Sequence, residues 1–284
     1  MSKVFAIVGG DLRSVFLAKM LIEDNYCVKV YGLHSDIPEC ESIEEAISHA
    51  DFVIGAIPFF EDSFYKSTNT TIESLFSILN SNQIFISGKL DDNIQILAKE
   101  HNIRIIDLVN LEEFAVQNAV PTAEGAIQIA MQELPITIHG AKVLVSGFGR
   151  IGKTLTKMLH GIGAEVYTIS RTRSQVALAQ NFGYNAICFK DISPLVAEMD
   201  IIFNTVPHMI FDKSLIDKMN KQCLIVDLSS KPFGVDFNYC EEVKIKAIIA
   251  PGLPGIVAPK TAALYIKKNM INELLDMGEI LHGE

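Results

Sequence analysis

Short apolar runs alternate with amphipathic segments along most of the chain. The apolar runs are rich in β-branched residues and predict strands at residues 3–8, 27–31, 52–56, 84–87, 103–108, 142–146, 166–170, 201–204, 224–228 and 247–250. Apolar positions at helical spacing lie between most of these runs, for example at 14–23, 72–79, 93–101, 153–160 and 213–219. Strands that are apolar on both faces and alternate with helices are typical of parallel sheets covered on both sides. The pattern therefore predicts an α/β fold.

The two halves of the chain repeat this pattern. The sequence VGGDLRSVFLAKML at residues 8–21 aligns without gaps with SGFGRIGKTLTKML at 146–159, and DFVIGAIP at 51–58 matches DIIFNTVP at 200–207. The matches arise either from duplication of one unit or from the general likeness of βαβ units. In both cases the sequence predicts two Rossmann-like lobes, each a doubly wound parallel sheet.

Long helices are predicted to link the lobes. Residues 1–120 form a first lobe, which we assign to the substrate, and residues 135–258 form a second lobe, which we assign to NADP for the reasons given below. An apolar helix at 121–134 joins them, and a helix at 259–284 returns to the first lobe. This organisation predicts a cleft between the lobes, where a substrate and a cofactor usually meet.

Composition and charge narrow the function. The chain has 284 residues, of which 49% are hydrophobic and 20% charged, enough for two packed cores. A net charge of −10 disfavours binding to nucleic acid or to an anionic membrane, because both are polyanions. The five cysteines form no CxxC pair, and neither a signal peptide nor a membrane span is predicted, so we expect a cytoplasmic protein with reduced thiols. The spacing of histidines and cysteines predicts no metal site.

A glycine-rich sequence marks the second lobe as the dinucleotide site. GFGRIG at residues 147–152 is a GxGxxG motif that directly follows a predicted strand and opens a predicted helix, which is the context the motif requires. Gly147 permits the tight turn, Gly149 lets the backbone approach a pyrophosphate, and Gly152 allows close packing of helix on strand. The predicted contacts with the pyrophosphate are Gly147, Gly149, Arg150, Ile151 and Gly152.

The end of the next predicted strand indicates which dinucleotide binds. An NAD site usually places Asp or Glu here to bind the ribose, whereas this chain has no carboxylate in the segment 170–174. Guanidinium and hydroxyl groups suit a 2′-phosphate, so we predict NADP; the alternative is that the arginines are ordinary surface charges. The predicted contacts in this part of the site are Ser170, Arg171, Thr172, Arg173, Asn204, Thr205, Val206 and Pro207.

The matching turn of the first lobe lacks two of the three glycines. Asp11 and Ser14 stand in their place, and a carboxylate facing a pyrophosphate is repulsive. We therefore predict that the first lobe binds no dinucleotide. Arg13 either holds a substrate carboxylate or forms an ion pair with Asp11.

Four segments of the chain resemble the family of dipicolinate synthase A subunits. They are AVPTAEGAI at 119–127, LVSGFGRIG at 144–152, DLSSKPFGVD at 227–236 and APGLPGIVAPKTA at 250–262. The resemblance implies an oxidoreductase that converts a dihydropyridine dicarboxylate, or its hydrated precursor, to dipicolinate with hydride transfer to a nicotinamide cofactor. It also implies the flavoprotein-like B subunit of dipicolinate synthase as partner and a place in the mother-cell cytoplasm during sporulation. We further expect a homo-oligomer.

Such a reaction needs cations for two carboxylates and a group that takes up a proton. His208 follows the loop that ends at Pro207 and is the titratable group best placed by sequence, although a structural role is an open alternative. The predicted catalytic residues are His208, Lys231, Lys260 and Glu124. The predicted substrate-binding residues are Arg13, Lys89, Ser229, Ser230 and Thr261. For each lysine and for Glu124, an ordinary surface or helix-capping role stays open.

Two other functions remain open on the sequence. One is a different two-lobed NADP-dependent dehydrogenase, such as a shikimate-like enzyme. The other is a nucleotide-sensing regulatory subunit whose partner carries out the chemistry.

Overall fold

The computed structural model describes residues 3–279 and 281, which belong to two compact units. Unit 1 comprises Met1–Asn118 and Ala258–Glu284, and unit 2 comprises Ala119–Val257. Each unit contains one sheet in which every pair of neighbouring strands is parallel. The predicted class, α/β with two Rossmann-like lobes, is confirmed.

The sheet of unit 1 has the strand order β2-β1-β3-β4-β5. Its elements are β1 (Val4–Val8), α1 (Leu12–Glu23), β2 (Cys27–Tyr31), α2 (Ile43–Ile47), β3 (Phe52–Ile54), α3 (Glu61–Thr68), α4 (Ile72–Ile78), β4 (Ile84–Ser87), α5 (Asp92–Glu100) and β5 (Arg104–Asp107). A 3₁₀ turn at Leu108–Asn110 leads into α6 (Glu112–Glu133), the helix that continues into unit 2.

The sheet of unit 2 has the strand order β11-β10-β9-β6-β7-β8. Its elements are β6 (Lys142–Ser146), α7 (Arg150–Ile162), β7 (Glu165–Ser170), α8 (Arg173–Asn181), β8 (Asn185–Cys188), β9 (Ile201–Asn204), α9 (Lys213–Ile216), β10 (Leu224–Asp227), α10 (Phe237–Glu242), β11 (Lys246–Ile249) and α11 (Leu253–Val257). Helix α12 (Pro259–Asp276) then belongs to unit 1.

Both faces of each sheet are covered, as the apolar strands predict. In β1, Phe5 and Ile7 point to a core shared with α1 and α12, while Ala6 and Val8 point to a core shared with α2 and α4. Successive residues of a strand face opposite sides, so a strand that is buried on both sides is apolar at every position. The sequence of β1, VFAIV, follows from this requirement.

The linking helix differs from the prediction. Helix α6 begins at Glu112 and contains Pro121 in its interior, whereas the prediction began the helix at residue 121 with Thr122 as a possible N-cap. Packing of buried small residues along the helix, among them Ala119 and Ala123, outweighs this local preference. The predicted C-terminal helix is α12, which ends at Asp276; residues 280 and 282–284 lie outside the described residues. No helix in the described part of the chain is long and apolar enough to cross a membrane.

Strand β8 was not predicted. Its sequence NAIC is a short strand at the edge of the sheet, and only one of its residues is β-branched. Ala186 is the one buried residue of β8, so the segment lacks the apolar run that identifies the central strands.

Side-chain hydrogen bonds recur at matching positions of the two units. Asp51 accepts a hydrogen bond from the N–H that opens β1, and Asp200 accepts one from the N–H that opens β6, both at 2.8 Å. Asn80 and Asn220 each accept one from the backbone N–H two residues later, at 3.1 and 3.0 Å. General likeness of βαβ units explains matching backbones but not matching side-chain contacts, so the repeat favours duplication.

All five cysteines are free thiols, and we expect them to differ sharply in reactivity. Burial raises the pKa of the Cys240 thiol to about 11 and also raises that of Cys223, whereas Cys27 is exposed. Because the thiolate is the reactive form, a thiol reagent at neutral pH should modify Cys27 and spare Cys223 and Cys240 until the protein is denatured. Peptide mapping of the labelled native protein checks this; rapid labelling of Cys240 would contradict the packing of unit 2.

Candidate functional site

The glycine loop between β6 and α7 has the geometry of a phosphate cradle. Gly147 has a φ of +96°, and a Cβ there would lie 2.5 Å from Thr205 Oγ1. A Cβ on Gly152 would lie 2.1 Å from the carbonyl oxygen of Gly147, so the helix can pack on the loop only with glycine here. A Cβ on Gly149 would meet nothing within 4 Å. The loop is therefore closed on its protein side and open at Gly149.

Helix α7 presents the N–H groups of its first turn to this opening. Its N-cap is Gly149, which offers no side-chain acceptor to the first turn, and Arg150 and Ile151 are the first helical residues. The first N–H groups of a helix have no partner within the helix and lie at its positive end. An anion placed over Gly149 would therefore accept hydrogen bonds from these N–H groups and lie at the positive end of the helix.

A cavity of about 620 Å³ adjoins the open side of the glycine loop. The cavity lies at the carboxyl ends of β6, β7 and β9, where ligands bind in open α/β sheets. Its volume falls within the range of about 300–1,000 Å³ that small-molecule sites occupy. Its lining residues are Gly147, Phe148, Gly149, Arg171, Gln175, Phe189, Ile192, Thr205, Val206, Pro207, His208, Met209 and Ile210.

The end of β7 carries a buried hydroxyl that the protein leaves unsatisfied. Ser170 is 1% exposed, and its Oγ has no hydrogen-bond partner among the described residues. A buried hydroxyl without a partner costs free energy, so such groups usually have a role. Ser170 ends β7, where NAD sites usually carry the acid that binds ribose, but it is not among the residues that line the cavity.

The next residues place cationic and hydroxyl groups beside the cavity. Arg171 is exposed and lines the cavity. Thr172 caps α8 by accepting a hydrogen bond from Gln175 N at 3.3 Å, so its hydroxyl is already used. Arg173 is exposed at the start of α8 but does not line the cavity. Of the two predicted arginines, the structure brings Arg171 to the site.

The loop after β9 forms one wall of the cavity. Thr205 donates its hydroxyl and its N–H to the carbonyl oxygen of Ser146, at 2.7 and 3.0 Å, which joins this wall to the glycine loop. Val206, Pro207 and His208 line the cavity, and His208 is exposed. His208 therefore lies in the same cavity as the glycine loop.

Two predicted contacts point inward instead. Asn204 is fully buried, and its side chain bonds to Val206 and Ser229 within the protein. The hydroxyl of Ser229 is also buried and donates to Asp227 Oδ1 at 2.6 Å. Both side chains are already paired, so Asn204 is not placed to touch a cofactor, nor Ser229 a substrate. Ser230 and Lys231 follow in an exposed part of the loop and do not line the cavity.

Glu124 lies apart from the dinucleotide cavity. Because α6 begins at Glu112, Glu124 is in the middle of the helix and not in its first turn. Its side chain borders a separate groove of about 490 Å³ beside α7, together with Ile127, Met131 and Met158. This groove and the dinucleotide cavity share no lining residue.

In unit 1 the turn that matches the glycine loop is paired internally. The Arg13 side chain donates three hydrogen bonds to Asp11, from Nε to Oδ1 at 3.0 Å and Oδ2 at 3.2 Å and from Nη2 to Oδ2 at 2.7 Å. Burial works to raise the pKa of Asp11, but the hydrogen bonds and charge of Arg13 outweigh it and hold that pKa below its ordinary value. Asp11 also caps α1 through the N–H of Arg13 at 2.9 Å. The ion pair is the alternative that the sequence left open for Arg13.

Helix α3 fills the part of unit 1 where a nucleotide ribose would lie. Residue pairing between strands places Gly32, just after β2, at the position that Ser170 holds in unit 2. A Cβ on Gly32 would lie 2.7 Å from the carbonyl oxygen of Ser67, and one on Gly9 would lie 2.7 Å from Ser67 Oγ. The chain itself thus occupies this space, which supports the prediction that unit 1 binds no dinucleotide.

The remaining predicted substrate-binding residues, together with the predicted catalytic residue Lys260, lie in unit 1. Lys89 is exposed, has a φ of +63°, and lines a cavity of about 490 Å³ with its Nζ 5.0 Å from the centre of the Phe60 ring. Asp107 fixes this turn by accepting hydrogen bonds from the N–H groups of Lys89 and Leu90 at 2.8 and 2.9 Å. The other two residues, Lys260 and Thr261, are exposed in the first turn of α12.

Six residues that line the cavity were not predicted from the sequence. Five of them are apolar, namely Phe148, Phe189, Ile192, Met209 and Ile210, and the sixth is Gln175. Phe148 occupies a variable position of the motif, and Phe189 and Ile192 come from an irregular segment after the unpredicted β8. Of these residues, only Phe148 could have been identified as a lining residue from the sequence, because it lies within the GxGxxG motif.

Two family models match successive parts of the chain. The model for the N-terminal domain of the dipicolinate synthase A subunit matches residues 4–109. The model for the NAD binding domain of D-isomer specific 2-hydroxyacid dehydrogenases matches residues 115–230, which include the glycine loop, the end of β7 and the cavity wall. Unit 2 is therefore related to the nicotinamide-nucleotide domains of dehydrogenases.

One relative is similar over nearly the whole chain. The A subunit of dipicolinate synthase from Bacillus subtilis (strain 168) is 32% identical over 289 aligned positions, which cover 95% of this chain and 95% of the relative. The chain belongs to the family of dipicolinate synthase A subunits. The resemblance found in the sequence is thereby confirmed.

Solved structures of the family show the same fold. The crystal structure of the dipicolinate synthase A subunit from Bacillus halodurans has a TM-score of 0.87 at 28% identity and covers 96% of this chain and 97% of that chain. That of its counterpart from Bacillus subtilis has a TM-score of 0.85 at 28% identity and covers 98% and 97%. A transhydrogenase from Sinorhizobium meliloti, at 17% identity and a TM-score of 0.72 over 97% and 94% of the two chains, shares the fold.

Proposed function

We propose that this chain is the oxidoreductase subunit of a dipicolinate synthase and uses NADP. Its substrate is a dihydrodipicolinate, or the hydrate of that compound (a hydroxy-tetrahydrodipicolinate), and its product is dipicolinate. The residues at the end of β7 support NADP over NAD as the cofactor. Ser170 offers a buried hydroxyl without a partner and Arg171 lines the cavity, at the place where an NAD site usually carries a carboxylate.

The residues of unit 2 fit such a cofactor in three places. The N–H groups at the start of α7, over Gly149, bind the pyrophosphate. Arg171 binds the 2′-phosphate through charge-assisted hydrogen bonds, and Ser170 leaves the end of β7 without the carboxylate that an NAD site usually carries. The apolar residues Phe189 and Ile192 exclude water from the same cavity.

The oxidation removes two hydrogens from the substrate ring. NADP, when bound, accepts one of them as a hydride from a ring carbon, and the other leaves as a proton. We assign the proton to His208, because its imidazole is exposed at the cavity wall and histidine is the side chain that most often transfers protons in catalysis. A hydrated precursor loses water as well. Because the product is aromatic, holding the ring in place contributes more than a strong base does.

The other predicted residues remain proposals for the substrate. They are Ser230 and Lys231 in unit 2, and Lys89, Lys260 and Thr261 in unit 1. Lys89 has the most specific setting of these, because a left-handed backbone in a residue other than glycine is costly and Asp107 maintains it.

Replacing His208 should separate chemistry from binding. We expect His208→Gln to leave the Kd for NADP within about twofold of the wild-type value and to lower kcat by about 100-fold, the usual contribution of a general base. Steady-state kinetics with cofactor binding on the same samples measures both. An unchanged kcat with full occupancy would remove His208 from the chemistry.

The relatives' name, which designates one subunit of a synthase, supports the existence of a second subunit. We propose that the partner is the B subunit of dipicolinate synthase, a flavoprotein-like protein, and that the two work in the mother cell during sporulation. The test is to generate dihydrodipicolinate in situ, add NADP, and follow dipicolinate formation with and without the B subunit. Product formed by this chain alone would reject a purely nucleotide-sensing role. No product with both subunits present would reject the proposed reaction.

A further inference from the structure

A buried carboxylate lies directly behind the cavity wall. Asp227, the last residue of β10, is fully buried, and it does not line the cavity. Its Oδ1 accepts hydrogen bonds from the N–H and the hydroxyl of Ser229, at 2.8 and 2.6 Å. Its Oδ2 accepts one from the N–H of Gly234 at 2.9 Å. A buried charge is retained at a cost, so three donors aimed at one carboxylate indicate a defined role.

One branch of this network reaches the beginning of the wall. The hydroxyl of Ser229 accepts a hydrogen bond from Asn204 Nδ2 at 3.4 Å. The same Nδ2 donates to the carbonyl oxygen of Val206 at 2.9 Å, and Asn204 Oδ1 accepts from the N–H of Val206 at 3.2 Å. Both backbone groups of Val206 are therefore held by one buried amide.

The other branch reaches the end of the wall through Gly234. Its carbonyl oxygen accepts hydrogen bonds from the N–H groups of Ile210 and Phe211, at 3.0 and 2.9 Å. A Cβ on Gly234 would lie 2.4 Å from Asn204 Nδ2 and 2.8 Å from the carbonyl oxygen of His208. Only glycine lets the loop after β10 approach the wall this closely.

We propose that Asp227, Ser229 and Asn204 are positioning residues that hold the wall at 205–210 in the conformation that binds the dinucleotide. The inference rests on the proposed function, because it assigns the wall to that ligand. Neither Asp227 nor Ser229 lines the cavity, so each acts through the backbone of Val206 and the residues that follow it. Small displacements of a binding wall lower affinity because preorganised contacts are lost.

Three near-isosteric variants test this proposal with NADP itself as the probe. Asp227→Asn replaces an acceptor by a donor, Asn204→Asp places an oxygen against the carbonyl of Val206, and Ser229→Ala removes one hydroxyl. We expect Asp227→Asn and Asn204→Asp to raise the Kd for NADP about tenfold, the equivalent of one hydrogen bond, and Ser229→Ala to raise it about threefold. The KM for NADP should rise in parallel while kcat changes less.

Cys223→Ala is the matched control for lost stability. Cys223 is fully buried just before β10 and lines no part of the cavity, so its truncation should lower Tm and leave the Kd for NADP unchanged. Circular dichroism shows which variants are folded. If Asp227→Asn does not fold, the Kd of Ser229→Ala for NADP decides the test. Wild-type affinity in folded Ser229→Ala and Asn204→Asp would overturn the positioning role. A wild-type protein that binds neither NADP nor NAD would instead overturn the proposed function.

Discussion

Gly149→Val should abolish binding of NADP and leave the protein folded. The backbone of Gly149 has a φ of −84°, which valine can adopt, and a Cβ would meet no protein atom within 4 Å. The space that the side chain enters is the space proposed for the pyrophosphate. We expect the Kd for NADP to rise by about 100-fold or more, a loss of about 2.7 kcal/mol, with little change in Tm. Isothermal titration calorimetry and thermal unfolding on one preparation measure both.

Two other glycines of the same helix provide the controls. Gly161 also has open space around a Cβ, so Gly161→Ala should leave the Kd unchanged and stabilise α7 by about 1 kcal/mol. Gly152→Ala should instead lower Tm strongly, because its Cβ would lie 2.1 Å from a backbone oxygen. Wild-type affinity in Gly149→Val would show that the pyrophosphate lies elsewhere.

Arg171→Ala should remove most of the preference for NADP over NAD. Charge-assisted hydrogen bonds contribute about 1.5–3 kcal/mol each, so losing the guanidinium should weaken NADP binding by about 10- to 100-fold. NAD carries no 2′-phosphate, so its Kd should change little. Competitive titration of both nucleotides against the variant measures the two effects together.

Arg173→Ala is the matched control for this substitution. Arg173 has the same charge two residues further on but does not line the cavity. We expect it to weaken NADP binding by no more than about threefold, the size of a screened surface charge. Equal losses in the two variants would mean that general charge, and not a contact at the cavity, sets the preference.

The parts of the fold that a short stretch of sequence determines by itself were predictable. GxGxxG between a strand and a helix specifies its own turn, because glycine is needed at Gly147 for a φ of +96° and at Gly152 for close packing. The central strands were also predictable, because burial on both faces requires an unbroken apolar run in the sequence. Edge strand β8 lies outside this requirement, and the sequence did not show it.

The direction of polar side chains at strand ends was not predictable. Asn204 and Ser229 follow adjacent strands and were expected to face a ligand, but both bond to groups inside unit 2. Their partners, Val206 and Asp227, take part in contacts that only the folded sheet creates. Similarly, Asp11 signalled that unit 1 lacks a pyrophosphate site, yet nothing in the sequence showed that α3 fills the ribose position.

The ratio of the Kd values for NAD and NADP in the wild-type protein tests the central claim most directly. We infer that the open glycine loop, the end of β7 without a carboxylate and the guanidinium of Arg171 form one site for NADP. Calorimetric titration of each nucleotide at one salt concentration gives the ratio. We expect NADP to bind at least about tenfold more tightly than NAD, as one charge-assisted contact requires. Equal affinities, or tighter binding of NAD, would contradict it.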